Sequence, residues 1–300
     1  MKKDMNVLLL GGNGFLGRGI QDELNSRSIP YKSIDICDVD LSKEDNLNVV
    51  ESELKNATHV VLLAAKIGRI LFNENPIENS QINERIFNNV IKSIKNINKL
   101  YNKKFDFVFY STSEVYGSIT RDSIITSETP FKLNDEGRGL YANQKAKSEE
   151  VLKKLLYDGD IFNSVKIIRP FNVSGKYQKR GVVYDMINDA LNKKSIWYNS
   201  DTIRSFTSDI YAKKRAVDII IDDSSNLIVE NLSEHITVDM KTVANMIKTI
   251  VGDEVKLYET ESDSIIQYRQ TSSIENNNDG KLMMLRQCIL RAMKDSNYDR

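Results

Sequence analysis

The chain has 300 residues, enough for one large domain or two fused lobes, and 40% of them are hydrophobic, enough for a sizeable core. Its 42 Lys and Arg balance 42 Asp and Glu, so no basic field points to nucleic acid and no acidic excess points to disorder. Two cysteines without paired spacing argue against a disulfide scaffold, two histidines form no zinc pattern, and no apolar run reaches the ~18 residues of a membrane span. Met1-Lys2-Lys3-Asp4 leads straight into an apolar run and leaves no room for a secretory signal, so the expectation is a cytoplasmic protein without a bound metal.

In chain order, Asn6–Leu10 reads as a strand buried on both faces. A glycine turn follows, and Leu16, Ile20 and Leu24 then recur at helical spacing. Tyr31–Ile36 reads as a strand ending near Asp35. Ser42–Lys55 reads as a helix with Ser42 as N-cap and Asp45 in its first turn. His59–Ala65 is a further buried strand. Ile82–Tyr101 places Ile82, Ile86, Val90, Ile94, Ile97 and Tyr101 along one helical face, and Phe105–Tyr110 is a strand. Gly117–Gly139 is long, polar and rich in turn residues, the composition of a loop over a site. Leu140–Tyr157 is a helix, and Val165–Arg169 a strand stopped by Pro170. Beyond about Asn172 the rhythm becomes irregular, with helices over Asp239–Val251 and Lys281–Lys294 and a turn at Asn276–Gly280. Strands alternating with helices imply a parallel sheet covered on both sides. The expected class is α/β, a Rossmann-type doubly wound parallel sheet with a smaller α/β C-terminal substrate lobe.

The turn Gly11-Gly12-Asn13-Gly14-Phe15-Leu16-Gly17 lies between a buried strand and an amphipathic helix, the setting in which a glycine pattern holds a dinucleotide. Gly11 allows the tight turn, Gly14 lets backbone approach the pyrophosphate, and Gly17 lets helix and strand pack closely. Asp35, at the end of the second strand, can accept from the adenosine ribose hydroxyls and would repel a 2′-phosphate, favouring NAD over NADP. Asp38 and Asp40 compete for that role, and Asp40-Leu41 can supply the adenine edge and face. Tyr141 and Lys145 are four apart on a predicted helix and share a face. A phenol titrates near 10 and is a poor base, but a nearby ammonium and a positive nicotinamide ring favour phenolate. Thr112 ends a parallel strand, where its hydroxyl can hold a substrate oxygen beside Tyr141.

With these residues the chain resembles the extended short-chain dehydrogenase/reductases, the NAD-dependent epimerases and dehydratases of nucleotide sugars. The resemblance runs from about Asn6 to Phe206. It covers the glycine turn, Leu63-Ala64-Ala65, Ser111–Gly117, Glu128-Thr129-Pro130, Tyr141–Lys145, Arg169–Gly175 and Arg204-Ser205-Phe206. It implies a residue 1–172 domain that binds NAD, through Phe15, Leu16, Ala64 and Ala65 among others, and carries the reaction. Residues 173–300 are implied to bind mainly the nucleotide-diphosphate sugar, with some interleaving. By resemblance Tyr141 is the base or acid, Lys145 its partner and Thr112 the hydroxyl helper. Asn172 contacts substrate, and Arg204 and Arg269 grip the diphosphate with the planar fork of the guanidinium.

Family members share oxidation at C4 and differ afterwards. Ser113 replaces the Asp of the 4,6-dehydratases, and Thr112-Ser113-Glu114 looks like the arrangement of UDP-glucuronate decarboxylases. Glu114 is either a second acid/base or a strand-end carboxylate that pairs with a cation or caps the next turn. Ala64–Ile70 is similar to GDP-fucose synthases, but those have cysteine where this chain has Glu114, and neither His59 nor His235 matches their histidine. The family's C-terminal Leu-Gly-Trp-x-Pro segment is absent. The leading expectation is an epimerase working through a 4-keto intermediate. Its rivals are a decarboxylase, a dehydratase or ketoreductase, and an idle NAD(H)-binding sensor or scaffold. The two long helices are implied by resemblance to pair across a homodimer, whereas Leu282, Leu285, Ile289 and Met293 are read as packing on their own lobe.

Overall fold

The computed structural model describes residues 5–260 and 267–296, so the lead-in Met1–Asp4 lies outside them. The first part of the chain runs β1 (Val7–Leu10), α1 (Phe15–Ser26), β2 (Tyr31–Ile34), α2 (Leu47–Leu54), β3 (His59–Leu62), α3 (Arg69–Glu74), α4 (Pro76–Tyr101) and β4 (Phe105–Tyr110). The middle contributes α5 (Gly139–Asp158), β5 (Phe162–Pro170), β6 (Val173–Ser174), α6 (Val182–Lys193), β7 (Ser195–Tyr198), β8 (Ile203–Ser208), α7 (Asp209–Ile221) and β9 (Leu227–Leu232). β10 (Ile236–Asp239), α8 (Met240–Val251), β11 (Lys256–Glu259), β12 (Tyr268–Arg269) and α9 (Asp279–Ser296) complete it. Among the described residues, no helix is long and apolar enough to cross a membrane.

The chain divides into two compact units. The first holds the chain up to Val115 with Leu133–Arg169 and Lys213–Glu230; the second holds Tyr116–Lys132, Pro170–Ala212 and the chain from Asn231. The first is organised by a six-stranded sheet of order β2-β1-β3-β4-β5-β9, in which β1 pairs in parallel with both β2 and β3. β3–β4 and β4–β5 are parallel as well. Strand order reverses at β1 and β3, so the ends of these strands open the crevice where α/β sheets take ligands. β1 and β3 are buried at every position, as continuous apolar runs require when helices cover both faces. Ile86, Val90, Ile94 and Ile97 of α4 bury their stripe against Phe107 and Phe109 of β4 and their neighbours, each large side chain contributing about 2 kcal/mol. Lys166 is fully buried on β5, and its ammonium donates to the Ile220 carbonyl at 3.1 Å and to that of Asp222, satisfying the orphan carbonyls that end α7.

The second unit has a sheet of order β10-β8-β12, with β6 also paired to β8, and a separate parallel ribbon of β7 and β11. Its core joins Val183 and Ile187 of α6, Val243 and Ile247 of α8, and Leu285 and Ile289 of α9; Leu282 and Met293 of α9 pack at its edge. The α9 seam therefore packs within its own unit. Asp239 caps α8, accepting from the Thr242 N–H at 2.7 Å. The Gly117–Gly139 segment contains neither helix nor strand before α5 begins at Gly139, and Ile119 and Ile125 donate backbone N–H groups to Tyr268 and Gln270.

The structure departs from several expectations: β2 stops at Ile34, β3 at Leu62, and β5 starts at Phe162 and includes Pro170. Ser42 caps no helix: its hydroxyl and N–H both go to Asp40 Oδ1, at 2.7 and 3.0 Å. A separate 3-10 turn, Glu44–Asn46, precedes α2, which starts only at Leu47. A local Asx arrangement outcompetes the cap because Asp40 lies two residues away. The short helix α3 is additional, entered from Gly68 at φ +118° in a stretch whose pattern suggested no element.

Candidate active site

The glycine turn folds tightly for steric reasons. Gly11 has φ +94°, and a Cβ there would lie 2.5 Å from the Ala64 nitrogen, so the ends of β1 and β3 approach as only glycine permits. A Cβ on Gly17 would lie 2.4 Å from the Gly12 carbonyl oxygen, which locks α1 onto the turn. α1 begins after Gly14 without any side-chain cap, and Phe15 and Leu16 form its first turn. Exposed backbone at a helix N-terminus beside a sheet switch point is the donor set a dinucleotide pyrophosphate fits.

Asp35 follows β2 directly. Its Oδ2 accepts the Asn13 N–H of the glycine turn at 2.8 Å, and its Oδ1 accepts the Ile36 N–H at 2.7 Å. Asp38 instead accepts the N–H of Asp35 at 2.9 Å. The carboxylate of Asp40 is held below its usual range, chiefly by the Ser42 hydroxyl. The Leu41 side chain is buried in the core, and its carbonyl takes the Asn89 amide at 2.9 Å. After β3, the Ala64 N–H donates to Leu10 at 2.8 Å, and Ala65 leads into Lys66. Both polar groups of the Lys66 peptide are clamped by buried Asn83 on α4, at 2.6 and 2.9 Å. No pattern in the sequence marks an Asn in an apolar helix as such a clamp.

Three ties lace α5 to the strand ends. Lys145 Nζ donates to the Tyr110 carbonyl at 2.8 Å and lies 4.5 Å from the Phe109 ring centroid. Arg138, at the start of α5, grips Glu114 with both arms of its guanidinium, the Nε contact measuring 2.5 Å. Deeper, Glu149 is fully buried, pairs with buried Arg169 of β5 at 2.5 and 3.0 Å, and accepts the Ser111 hydroxyl at 2.5 Å. Thr112 lies between Tyr110 and Glu114 in the chain and Tyr141 between Arg138 and Lys145, so the first two ties join the segments that carry both hydroxyls. The Thr112 hydroxyl accepts the Glu114 N–H at 3.2 Å, which fixes the turn over Ser113–Tyr116. Phe72 of α3 packs on Tyr141 with ring centroids 5.4 Å apart. Sequence reading missed Arg138 and Glu149, although their helical spacing to Tyr141 (i−3) and Lys145 (i+4) was legible.

Burial pushes the Tyr141 phenol above its ordinary value, the Glu114 carboxylate pushes further, and Arg138 opposes both. Lys145 does not set this balance. Its own ammonium is pushed down to about 7 by burial, with Glu149 opposing. With the chain's own charges alone, Tyr141 is a neutral phenol.

The three remaining residues lie in the second unit. Asn172 adopts φ +35°, a conformation Asn tolerates better than most side chains, and its amide donates to the Ser205 carbonyl at 2.8 Å. Arg204 of β8 and Arg269 of β12 are register partners on adjacent parallel strands. Arg204 donates to Gln267 Oε1 at 2.6 Å and Arg269 to the Gly117 carbonyl at 2.8 Å. Two cations in register repel, so their juxtaposition suits an anionic ligand. His59 is buried beside Thr58 and Asp106, and His235 is paired to Thr271. Among the described residues, no group of three or more His, Cys, Asp or Glu could hold a metal ion.

Comparison of the sequence with curated proteins finds no match. Among solved structures the chain is similar to the UDP-N-acetylglucosamine 4-epimerase of Methanobrevibacter ruminantium in complex with UDP-N-acetylmuramic acid. Identity is 23%, coverage is 99% of this chain and 100% of that one, and the TM-score is 0.77. It is similar also to the UDP-glucose 4-epimerase of Thermus thermophilus in complex with NAD, at 18% identity, 98% and 99% coverage and a TM-score of 0.76. A third, TunA, an NAD-dependent NDP-hexosamine 5,6-dehydratase involved in tunicamycin biosynthesis, matches at 17% identity, 97% and 98% coverage and a TM-score of 0.77. At these identities the likeness establishes the Rossmann-type fold. The sequence itself carries the rest, because a model of the NAD dependent epimerase/dehydratase family matches residues 7–209. With two thirds of its length spanned by that match, the chain belongs to the NAD-dependent epimerase/dehydratase family, and its cofactor is NAD.

Proposed function

We propose that this protein is an NAD-dependent nucleotide-sugar epimerase that works through a 4-keto intermediate. The observation that carries the reading is the tie from Lys145, four residues after Tyr141 on α5, to the Tyr110 carbonyl at the end of β4, two residues before Thr112, in the same unit as the glycine turn. NAD, when bound, supplies the acceptor for the C4 hydride and gives it back. The chain's residues move the proton: Tyr141 takes it from the C4 hydroxyl and later returns it, while Thr112 holds the same oxygen. Lys145, anchored on the Tyr110 carbonyl, places its Nζ 5.9 Å from the Tyr141 ring centroid.

Asp35 serves the adenosine ribose and Gly11, Gly14 and Gly17 the pyrophosphate, with Phe15, Leu16, Asp40, Leu41, Ala64 and Ala65 around them. Asn172, Arg204 and Arg269 take the sugar and diphosphate. Glu114 is tied at both oxygens to Arg138, an engagement that favours hydride return over elimination of water or carbon dioxide. Two similar structures are UDP-sugar 4-epimerases by name, which supports the same choice. Two free cysteines, Cys37 exposed and Cys288 buried, accord with a reducing cytoplasm. A homodimer through the groove between α4 and α5 would supply donors to Asn143 Oδ1 and Gln144 Oε1, buried acceptors without a partner among the described residues.

The test is mass spectrometry and chromatography of nucleotide sugars incubated with protein and NAD. A product of unchanged mass and shifted retention supports epimerisation; loss of carbon dioxide or water replaces it with decarboxylation or dehydration. Tyr141→Phe is expected to keep NAD binding and lose about 10²- to 10⁴-fold in turnover. A chain that binds NAD and converts nothing is the sensor.

A further inference from the structure

We propose that Arg138 is a positioning residue for proton exchange: by holding Glu114 in an ion pair one helical turn from Tyr141, it lets the phenol give and take its proton beside a neutralised carboxylate rather than a bare one. The proposal deepens the epimerase reading and rests on it.

The geometry is local and rigid. Arg138, Tyr141 and Lys145 fall at positions i, i+3 and i+7 and share one face of α5. The Tyr141 N–H donates to the Arg138 carbonyl at 3.1 Å, so the arginine's place relative to the phenol is set by helix backbone. The guanidinium is bidentate to Glu114, the strongest arrangement open to an ion pair. Glu114 is in turn seated by its N–H on the Thr112 hydroxyl. The two partners differ in exposure: the Glu114 side chain is 11% exposed and the Arg138 side chain 42%. The anion is therefore the desolvated member, and the arginine can be truncated without opening a core cavity.

The charged groups around the phenol act in opposite senses. Arg138 favours phenolate, and Glu114 from the turn after β4 opposes it. α3 contributes the Phe72 ring, and the Glu149 charge beyond Lys145 is already paired with Arg169. Arg138 is the cation in direct contact with the opposing carboxylate. Removing it takes a bidentate cation from a largely buried carboxylate beside the group that must become negative.

The experiment follows reduction of NAD by the nucleotide sugar, read as NADH absorbance across pH in the full-length protein. It compares wild type with Arg138→Ala, Arg138→Lys and the double variant Arg138→Ala/Glu114→Gln. NAD affinity and thermal midpoint are measured for each. Arg138→Ala is expected to slow reduction about tenfold at neutral pH and to move the rising limb of the profile about one pH unit upward. Arg138→Lys is expected to recover part of the shift, and the double variant to return the limb to its wild-type position, since no carboxylate then needs neutralising. An unchanged limb in Arg138→Ala overturns the proposal, as does a shift that persists in the double variant, which would make Arg138 merely structural. Wild-type protein that binds NAD but reduces none of it with any nucleotide sugar overturns the epimerase reading itself, and this proposal with it.

Discussion

Lys145 offers a test that needs no substrate. Burial carries its ammonium from an ordinary 10.5 down to about 7 in the folded protein. Between those values the unfolded chain binds a proton that the folded chain does not, so stability rises with pH across that window. Below about 7 both states are protonated and the full cost of the buried charge is felt. Integrating between pH 7 and pH 9, this one group makes the wild-type protein about 2 kcal/mol more stable at the higher pH. Lys145→Met keeps most of the side-chain volume and removes the titration. Urea unfolding at pH 7, 8 and 9 is expected to give a variant whose stability lacks this rise, and which is the more stable protein at pH 7 once the lost bond to the Tyr110 carbonyl is allowed for. Buried Tyr110 and Tyr141, both raised above their ordinary 10, leave the window undisturbed because they destabilise only above it. Parallel pH profiles for wild type and Lys145→Met would refute the reasoning and show that the lysine stays charged at the end of β4.

Three further outcomes follow from the geometry. Gly17→Ala puts a methyl 2.4 Å from the Gly12 oxygen, so the turn must shift; NAD affinity by calorimetry is expected to fall at least ~10-fold and stability by about 1–3 kcal/mol, and wild-type affinity would contradict the packing argument. Glu149→Ala takes the ion-pair carboxylate from buried Arg169 and is expected to cost about 3–5 kcal/mol in urea unfolding, while replacing both partners by methionine costs less; equal losses would show that the pair's charges are not what matters. In native protein a thiol reagent is expected to label exposed Cys37 at once, and Cys288, whose thiol burial pushes up to about 12, only on unfolding; comparable rates would show that the second core opens readily.

Whatever rests on local pattern was legible in the order of residues. Phe105–Tyr110 is a strand residue for residue, and the apolar runs read at Asn6–Leu10 and His59–Ala65 hold the strands Val7–Leu10 and His59–Leu62, buried on both faces. The alternation of strand and helix predicted the parallel sheet, and Leu285 and Ile289 were legible as one buried seam. These succeed because apolar periodicity and glycine sterics act between near neighbours, whose relation the sequence states directly. Only the tertiary structure decided where the polar side chains spend their hydrogen bonds. Ser42 gave its hydroxyl to Asp40 instead of a helix, Asn83 clamped a peptide 17 residues away, and Arg138 closed on Glu114 across 24 residues. It decided too that burial and Glu114 push the Tyr141 phenol up while Arg138 opposes them. Electrostatic and hydrogen-bond energies depend on distances and on the exclusion of water, and both are set by which distant segments the fold brings within a few ångströms of one another.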